Sequence, residues 1–475
     1  MKGKFISRKE FLKHTAWAGG GLWLGLDVLA KSIPGSFDRI FPDDDVLYFK
    51  QGDGQYDELR HGFNKRIDKL PFVIALCKNT NGVVAAVNYA RINNLPVAIK
   101  SGGHCMEGLS CSNGGMVINL SLLNKFSWKD PDHITAGPAL RLIDLYKNCL
   151  PKGKIVPGGS CQSVALGGLT LGGGYGLLSR QFGLTCDSLT KITMVDGLGN
   201  IISSADDSEL LWACKGGANG NFGIITEMDF RVHKAPLSMQ SYRLRYRSIP
   251  EEKIIPLMET WFTVAPALPK HCFSALIINN KSAYILLTST KKSTADIQSP
   301  LNALKAVTTS IQYSRPKALA VALKSFYAES QPVFFKNASA GLYKNFDDIK
   351  GCMNEVITVL KSTPGMIYQV NTLGGEVQNP FFGQSSSFPY RDYNFFSELQ
   401  AYYNLPAQAP ELLLNFESIQ HIFEKNGVTA HYRNYPDINF KTPLQQYYGV
   451  NLERLRLIKN KYDPENNIRH EQSII

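Results

Sequence analysis

Gly158-Gly-Ser-Cys161-Gln-Ser-Val164-Ala-Leu-Gly167-Gly168-Leu-Thr-Leu-Gly172-Gly173-Gly-Tyr-Gly176 is the stretch on which the reading of this chain turns. Glycine lets a main chain come close to a ligand and aim successive N–H groups at phosphate oxygens with no side chain in the way. Two further clusters share this character: Ser101-Gly102-Gly103-His104, and Gly216-Gly-Ala-Asn-Gly-Asn-Phe-Gly223 followed by Ile224. One such cluster alone reads as a tight turn. Three within one domain point to an extended diphosphate cofactor. None has the single Gly-x-Gly-x-x-Gly between strand and helix of a nicotinamide-binding unit. Gly172 to Gly176 follows another glycine pair, and no acidic residue is placed after a second strand, which argues against NAD.

Around these clusters, from about Leu70 to His233, short apolar strands alternate with helices and turns. Val83, Val84, Val87 and Ala90 form a helical stripe, after which Leu95 to Lys100 reads as a strand running into the first glycine turn. Further strands are expected at Met116–Leu120, His133–Ala136 and Lys191–Val195, with a turn at Gly197–Asn200 leading into Ile201–Ser204. This is an α+β pattern, not a regular βαβ array. Beyond Pro236 the texture changes. Ser241–Tyr246 alternates, a helix is expected from Glu251, and Cys272–Ile278 with Ala283–Thr288 look like paired strands, so a second domain on an antiparallel sheet with helices on one face is expected.

A chain of 475 residues, 44% hydrophobic and 19% charged, suits two packed domains and shows no sign of extended disorder. The net charge of +11 is spread thinly. No basic run with interleaved aromatics tracks a nucleic-acid backbone, so a mildly basic surface attracting anionic ligands is the better reading. Nine cysteines without a CxxC pair argue against both a zinc site and a disulfide framework. Residues 1–30 read as an export leader: basic from Lys2 to Lys13, then mostly apolar from Thr15 to Ala30, but interrupted by Gly19-Gly20-Gly21 and Asp27 and so no stable membrane span. Ser7-Arg8-Lys9-Glu10-Phe11-Leu12-Lys13 resembles a twin-arginine signal with lysine for the second arginine. A periplasmic or extracellular mature protein is expected.

Lys100-Ser-Gly-Gly-His-Cys-Met-Glu-Gly108 together with Gly159–Gly176 resembles the berberine bridge enzyme-like branch of the FAD-linked oxidases, in the vanillyl-alcohol oxidase/PCMH-type superfamily. Tyr432-Arg-Asn434-Tyr435-Pro-Asp437, Tyr448-Gly-Val-Asn-Leu and Lys461-Tyr-Asp-Pro-Glu-Asn466 resemble the C-terminal signature of that family. The resemblance implies a PCMH-type two-part FAD-binding domain over residues 50–236, a substrate domain over 237–430, and a segment 431–475 that returns to the first. It further implies that FAD is held twice, by a ring nitrogen of His104 and by the sulfur of Cys161. Lys100, Ser101, Gly102, Gly103 and Gly108, then Val164, Gly167, Gly168, Gly172, Gly173 and Gly176, then Gly223 and Ile224, and finally Asn434 and Tyr435 are implied as cofactor neighbours. Tyr435 is the implied base, taking a proton from a substrate hydroxyl as hydride passes to the flavin. Val164 matches the position that governs access of dioxygen, while Ala165 stands where glycine is frequent. Lys100 stands where arginine is usual.

The leading expectation is an exported FAD-dependent oxidase of a small hydroxylated molecule, such as a sugar or oligosaccharide, with dioxygen as partner and no metal. A dehydrogenase or oxidative cyclase of a secondary metabolite, using another acceptor, is the enzymatic alternative. A degenerate flavin-binding module is the non-enzymatic one, although such a module needs neither tether nor base. A peptidoglycan-precursor reductase would need the cytoplasm, against residues 1–30. Cys105, Cys111 and Cys186 are expected to be structural. Glu376 and Arg391 are read as surface ion pairs, with the substrate face as the alternative.

Overall fold

The computed structural model describes residues 44–291, 295–327 and 331–475. The leader read in residues 1–30 lies outside them.

The first sheet has the strand order Val46–Phe49, Val73–Cys77, Met116–Asn119, Val97–Lys100. Val73–Cys77 and Val97–Lys100 both run parallel to Met116–Asn119, whereas Val46–Phe49 pairs antiparallel at the edge. The helix Thr80–Ile92 begins where the Asn79 side chain accepts the Gly82 N–H at 3.0 Å, satisfying one of the free donors of the first turn. It buries Val83, Ala86, Val87 and Ala90 against this sheet, the helical spacing that gives one apolar face. A second, antiparallel sheet orders Phe126–Asp130, His133–Ala136, Gly223–Arg231, Leu189–Asp196 and Ile201–Ser203. Val195 and Ile224 from this sheet share a core with Val73, Val83 and Ile118, so the two sheets pack as one body.

From Ser238 the chain builds an eight-stranded sheet. Its main path is Ser310–Tyr313, Ser238–Tyr246, Ala283–Ser289, Cys272–Asn279, Met366–Thr372, Phe395–Tyr403, Phe334–Tyr343, and every pair along it is antiparallel. The helices Ile254–Val264, Met353–Ser362 and Ala409–Lys425 cover one face, with Trp261, Val356 and Phe416 in a common core. Alternation assigns the other face: Tyr368 and Val370 join that core, while Gln369 and Asn371, each one position further on, look away from it into the cleft. The helix expected from Glu251 starts at Ile254, after a short 3-10 turn that follows Pro250.

Residues 431–475 come back to the first body. Tyr447, Tyr448, Leu455 and Ile458 share a core with Leu210, Trp212 and Phe222. The Gly197 N–H donates to the Tyr462 carbonyl at 2.8 Å. No helix among the described residues is long and apolar enough to cross a membrane.

Candidate active site

One cleft of about 920 Å³ lies between the glycine-rich loops and the open face of the eight-stranded sheet. The loop wall contains Ser101 to His104, Cys161, Val164, Gly167, Gly168, Gly176 and Gly223, and the C-terminal segment adds Asn434 and Tyr435. Four stretches far apart in sequence thus meet on one cavity.

The first and second loops touch directly. A Cβ on Gly102 would lie 2.7 Å from the Ala165 Cβ and 2.9 Å from its nitrogen, so this glycine is required by the close approach of the Cys161–Ala165 turn. That turn is closed by the Val164 N–H on the Cys161 carbonyl at 3.2 Å and is fixed to the Leu142 N–H through the Val164 carbonyl. His104 stands across it. Its Nε2 is 2.9 Å from Ser163 Oγ, and its ring stacks on Phe63 with centroids 4.3 Å apart. Enclosure, with a further push from the Arg141 charge, lowers its pKa to about 4, so at neutral pH the imidazole is uncharged and its nitrogen lone pair is available. None of the nine cysteines forms a disulfide. Cys161 is half-buried and faces the cleft, while Cys111 and Cys186 are buried.

Tyr435 lines the cleft with its ring 5.8 Å from Phe396 and 5.2 Å from Tyr432. Its carbonyl accepts the Ser339 N–H at 2.8 Å, which fixes the segment to the strand Phe334–Tyr343. Tyr432 has a different task. Its hydroxyl accepts the N–H groups of Gly174 and Tyr175 at 3.0 and 3.2 Å, and burial pushes its pKa up to about 12. It holds the glycine turn, where Gly173 and Gly174 have φ of 116° and 87°. Tyr447 and Tyr448 are fully buried packing residues.

Several residues read as cofactor neighbours stand behind the wall. Ile99 and Ser101 line the cleft, so the strand period of two turns Lys100 away. Its Nζ donates to the carbonyls of Leu59, at 2.6 Å, and His61, and burial lowers its pKa to about 8. Ile224 is turned into the core by the same alternation, between Gly223 and Ile225. Gly108 and Gly172 make room for neighbours: a Cβ would meet the Ile67 side chain at 2.3 Å and Asn434 Oδ1 at 2.2 Å. Gly173 likewise backs onto Phe388, Leu184 and Tyr432. Arg391 is neither a surface pair nor on the substrate face. It is buried, with its two terminal nitrogens 3.0 and 2.6 Å from the Asp187 carboxylate. Glu376 pairs with Lys270 at 3.3 Å, partly exposed and away from the cleft.

Sequence reasoning missed the floor. Gln369, Asn371, Glu398, Gln400 and Asn337 face the cleft from the large sheet. Asn337 Oδ1, Asn371 Nδ2 and Gln400 Oε1 are buried with no hydrogen-bond partner among the described residues. Such atoms are costly unless something that enters the cleft satisfies them. On the loop side, Asn219 Oδ1 is likewise buried without a partner, beside Gly220. A glycine wall, a neutral imidazole, a thiol and unsatisfied polar atoms in one elongated cavity fit an extended dinucleotide with a ring to hold.

These features define a flavoprotein oxidoreductase. Residues 71–205 match the FAD binding domain model, and residues 431–475 match the model described as berberine and berberine like. The FAD-linked oxidoreductase YgaK of Bacillus subtilis is 30% identical over 439 residues, covering 89% of this chain and 95% of its own. The chitooligosaccharide oxidase of Gibberella zeae is 25% identical, covering 89% and 91%. Among solved structures, the xylooligosaccharide oxidase of Myceliophthora thermophila in complex with xylobiose has a TM-score of 0.82 at 20% identity, over 90% of this chain and 97% of the other. The chain belongs to the berberine bridge enzyme-like FAD-linked oxidoreductases and is an enzyme.

Proposed function

We propose that this enzyme carries FAD on two covalent links, at His104 and Cys161, and oxidises the hydroxyl of a sugar or oligosaccharide, with dioxygen taking the electrons and leaving as hydrogen peroxide. The observation that carries the reading is the convergence of His104, Cys161 and Tyr435 on one cleft. With Nε2 engaged by Ser163, His104 has Nδ1 left for attachment, and its lowered pKa keeps that nitrogen nucleophilic. FAD supplies the acceptor for the hydride that leaves the carbinol carbon. Tyr435 takes the hydroxyl proton, so the C–H and O–H bonds break as a C=O bond forms. The carboxamides of Asn371 and Gln400 and the Glu398 carboxylate offer hydrogen bonds to a polyhydroxylated ligand. The similarity to a chitooligosaccharide oxidase supports an oligosaccharide, and Val164 on the cleft wall supports dioxygen as acceptor.

The test is the colour of acid-denatured protein. Flavin should stay with the polypeptide, and peptide mass mapping should find it on both residues. His104→Ala and Cys161→Ala should each keep one link, and the double variant should release all flavin. Complete release from the unsubstituted chain defeats the proposal. Oxygen consumption with a panel of oligosaccharides tests the acceptor. Export belongs to the same proposal, and a mature N-terminus that still begins at Met1 would remove it.

A further inference from the structure

The open face of the large sheet is ordered in chemistry from one end to the other. Strand pairing sets Arg245 beside Tyr284, then Ile277, then Gln369, then Glu398, and all five line the cleft. The next row runs Arg243, Leu286, Ala275, Asn371, Phe396, again all in the cleft. Phe396 is the residue packed on Tyr435, so the reacting end of each row is polar or aromatic, the middle is apolar, and the far end is arginine. Four strand steps at the usual spacing separate the ends by about 19 Å.

The arginines are three, since Arg247 also lines the cleft two positions after Arg245, and Lys281 joins them from the adjacent turn. Arg243 and Arg245 are half-buried and Arg247 is exposed. No carboxylate among the described residues forms an ion pair with any of these four cations. Glu398, at the opposite end, is the one acidic residue on the cleft wall among the described residues. Arg243 and Arg245, at i and i+2, share a strand face at a separation of about 7 Å, where like charges repel, and Arg247 follows from the turn just beyond the strand. That repulsion is relieved when an anion bridges them, and the guanidinium fork suits an oxyanion with two oxygens.

We propose that Arg243, Arg245 and Arg247 form an anion subsite at the far end of the cleft, and that the substrate is an extended oligosaccharide carrying acidic groups away from the oxidised unit. The inference rests on the oxidoreductase reading for what happens beside Tyr435, and adds the substrate class. Tyr284, Ile277 and Leu286 supply the apolar surface over which the faces of intermediate sugar rings lie. Carboxylate and sulfate ester share the chemistry the arginines recognise.

Calorimetry on the holoenzyme with three probes tests this: trigalacturonate, a κ-carrageenan tetrasaccharide and neutral cellotriose. One or both anionic probes should bind about tenfold or more tighter than cellotriose at low salt, and which one does identifies the acidic group. The advantage should shrink as salt rises. Arg243→Gln/Arg245→Gln should abolish it, while Arg243→Lys/Arg245→Lys keeps part of it, with melting temperature and flavin absorbance unchanged in both. Anionic probes that bind no tighter than cellotriose, or a glutamine variant that keeps the advantage, overturn the proposal. A yellow enzyme indifferent to anions breaks this inference alone. A colourless purified chain breaks the flavin reading instead.

Discussion

The two walls of the cleft are built by opposite means. The loop wall is main chain: glycines packed so closely that Gly102 and Ala165 exclude any further carbon, with His104, Cys161 and Val164 as the few side chains that matter. The sheet wall is side chain: carboxamides, a carboxylate and arginines projecting from regular strands. A main-chain wall holds a ligand whose shape is fixed, because moving a loop changes everything. A side-chain wall can be altered one residue at a time without disturbing the sheet. This division suits a constant cofactor on one side and a variable substrate on the other.

The largest expected effect falls where the walls meet. Tyr435→Phe should lower kcat by about 10²- to 10⁴-fold, the usual contribution of a placed base, with flavin content unchanged. Steady-state turnover with flavin absorbance as control measures it. A variant that keeps wild-type kcat would assign proton removal to another group and leave Tyr435 as a packing partner of Phe396.

A buried ion network joins the walls. Lys336, on the strand Phe334–Tyr343, lies 2.6 Å from Glu107 and 2.7 Å from Asp437. Glu107 follows His104 by three residues and also meets Arg66 at 2.8 Å, while Asp437 follows Tyr435 by two. Lys336→Met leaves two carboxylates enclosed without their shared cation and should cost about 3–5 kcal/mol of stability in denaturant titration. Adding Asp437→Asn should recover part of that loss. If the single variant is as stable as the parent, the two walls are not coupled through Lys336.

How much was legible follows the same division. The glycine clusters disclosed the loop wall because close approach of main chain excludes other residue types, and Tyr435 came with a motif. Lys100 and Ile224 were misplaced because a motif records neighbours in sequence, whereas strand alternation decides which of them faces the ligand. The floor was hidden for another reason. Gln369 and Asn371 sit at alternate positions of a strand buried on both faces, and nothing local tells which face is solvent, core or cleft until the sheet is assembled. Lys336 and Glu107 were equally silent, since their partnership spans 229 positions of sequence numbering and depends on tertiary contact. The strand and helix pattern around them was readable from periodicity alone, from the stripe of Thr80–Ile92 to the hairpin of Cys272–Asn279 with Ala283–Ser289.

Glycine substitutions sharpen the comparison at moderate size. Gly102→Ala should lower both the melting temperature and flavin loading, because its Cβ meets backbone across the loop pair. A Cβ on Gly168 has nothing within 4 Å and projects toward the cleft, so Gly168→Ala should leave the melting temperature unchanged and affect flavin loading alone. Equal loss of stability in the two variants would mean that the loop wall is not held by the Gly102–Ala165 contact.

The smallest effect is a pH slope, and it too separates the walls. On the loop side, burial lowers the pKa of His104 to about 4 and that of His470 to about 3, both facing the cleft. The described residues of the sheet floor contribute no histidine to it. Each of these imidazoles is neutral when folded, while the unfolded chain takes up a proton at each below about pH 6.5. The unfolded state therefore binds more protons between pH 6.5 and 4, so their contribution to stability is complete above pH 6.5 and is lost progressively as pH falls toward 4. Buried His431 and half-buried His233, both lowered to about 4, act in the same direction. Melting temperature should fall across this window, and His470→Gln should make the fall shallower. Oligosaccharide binding at the arginine end involves none of these imidazoles, so over the upper part of the window it should hold while the loop wall loosens. A melting temperature that is flat from pH 7 to 4 would show that these histidines are already protonated in the fold, and would remove the argument that His104 presents a neutral nitrogen to the flavin.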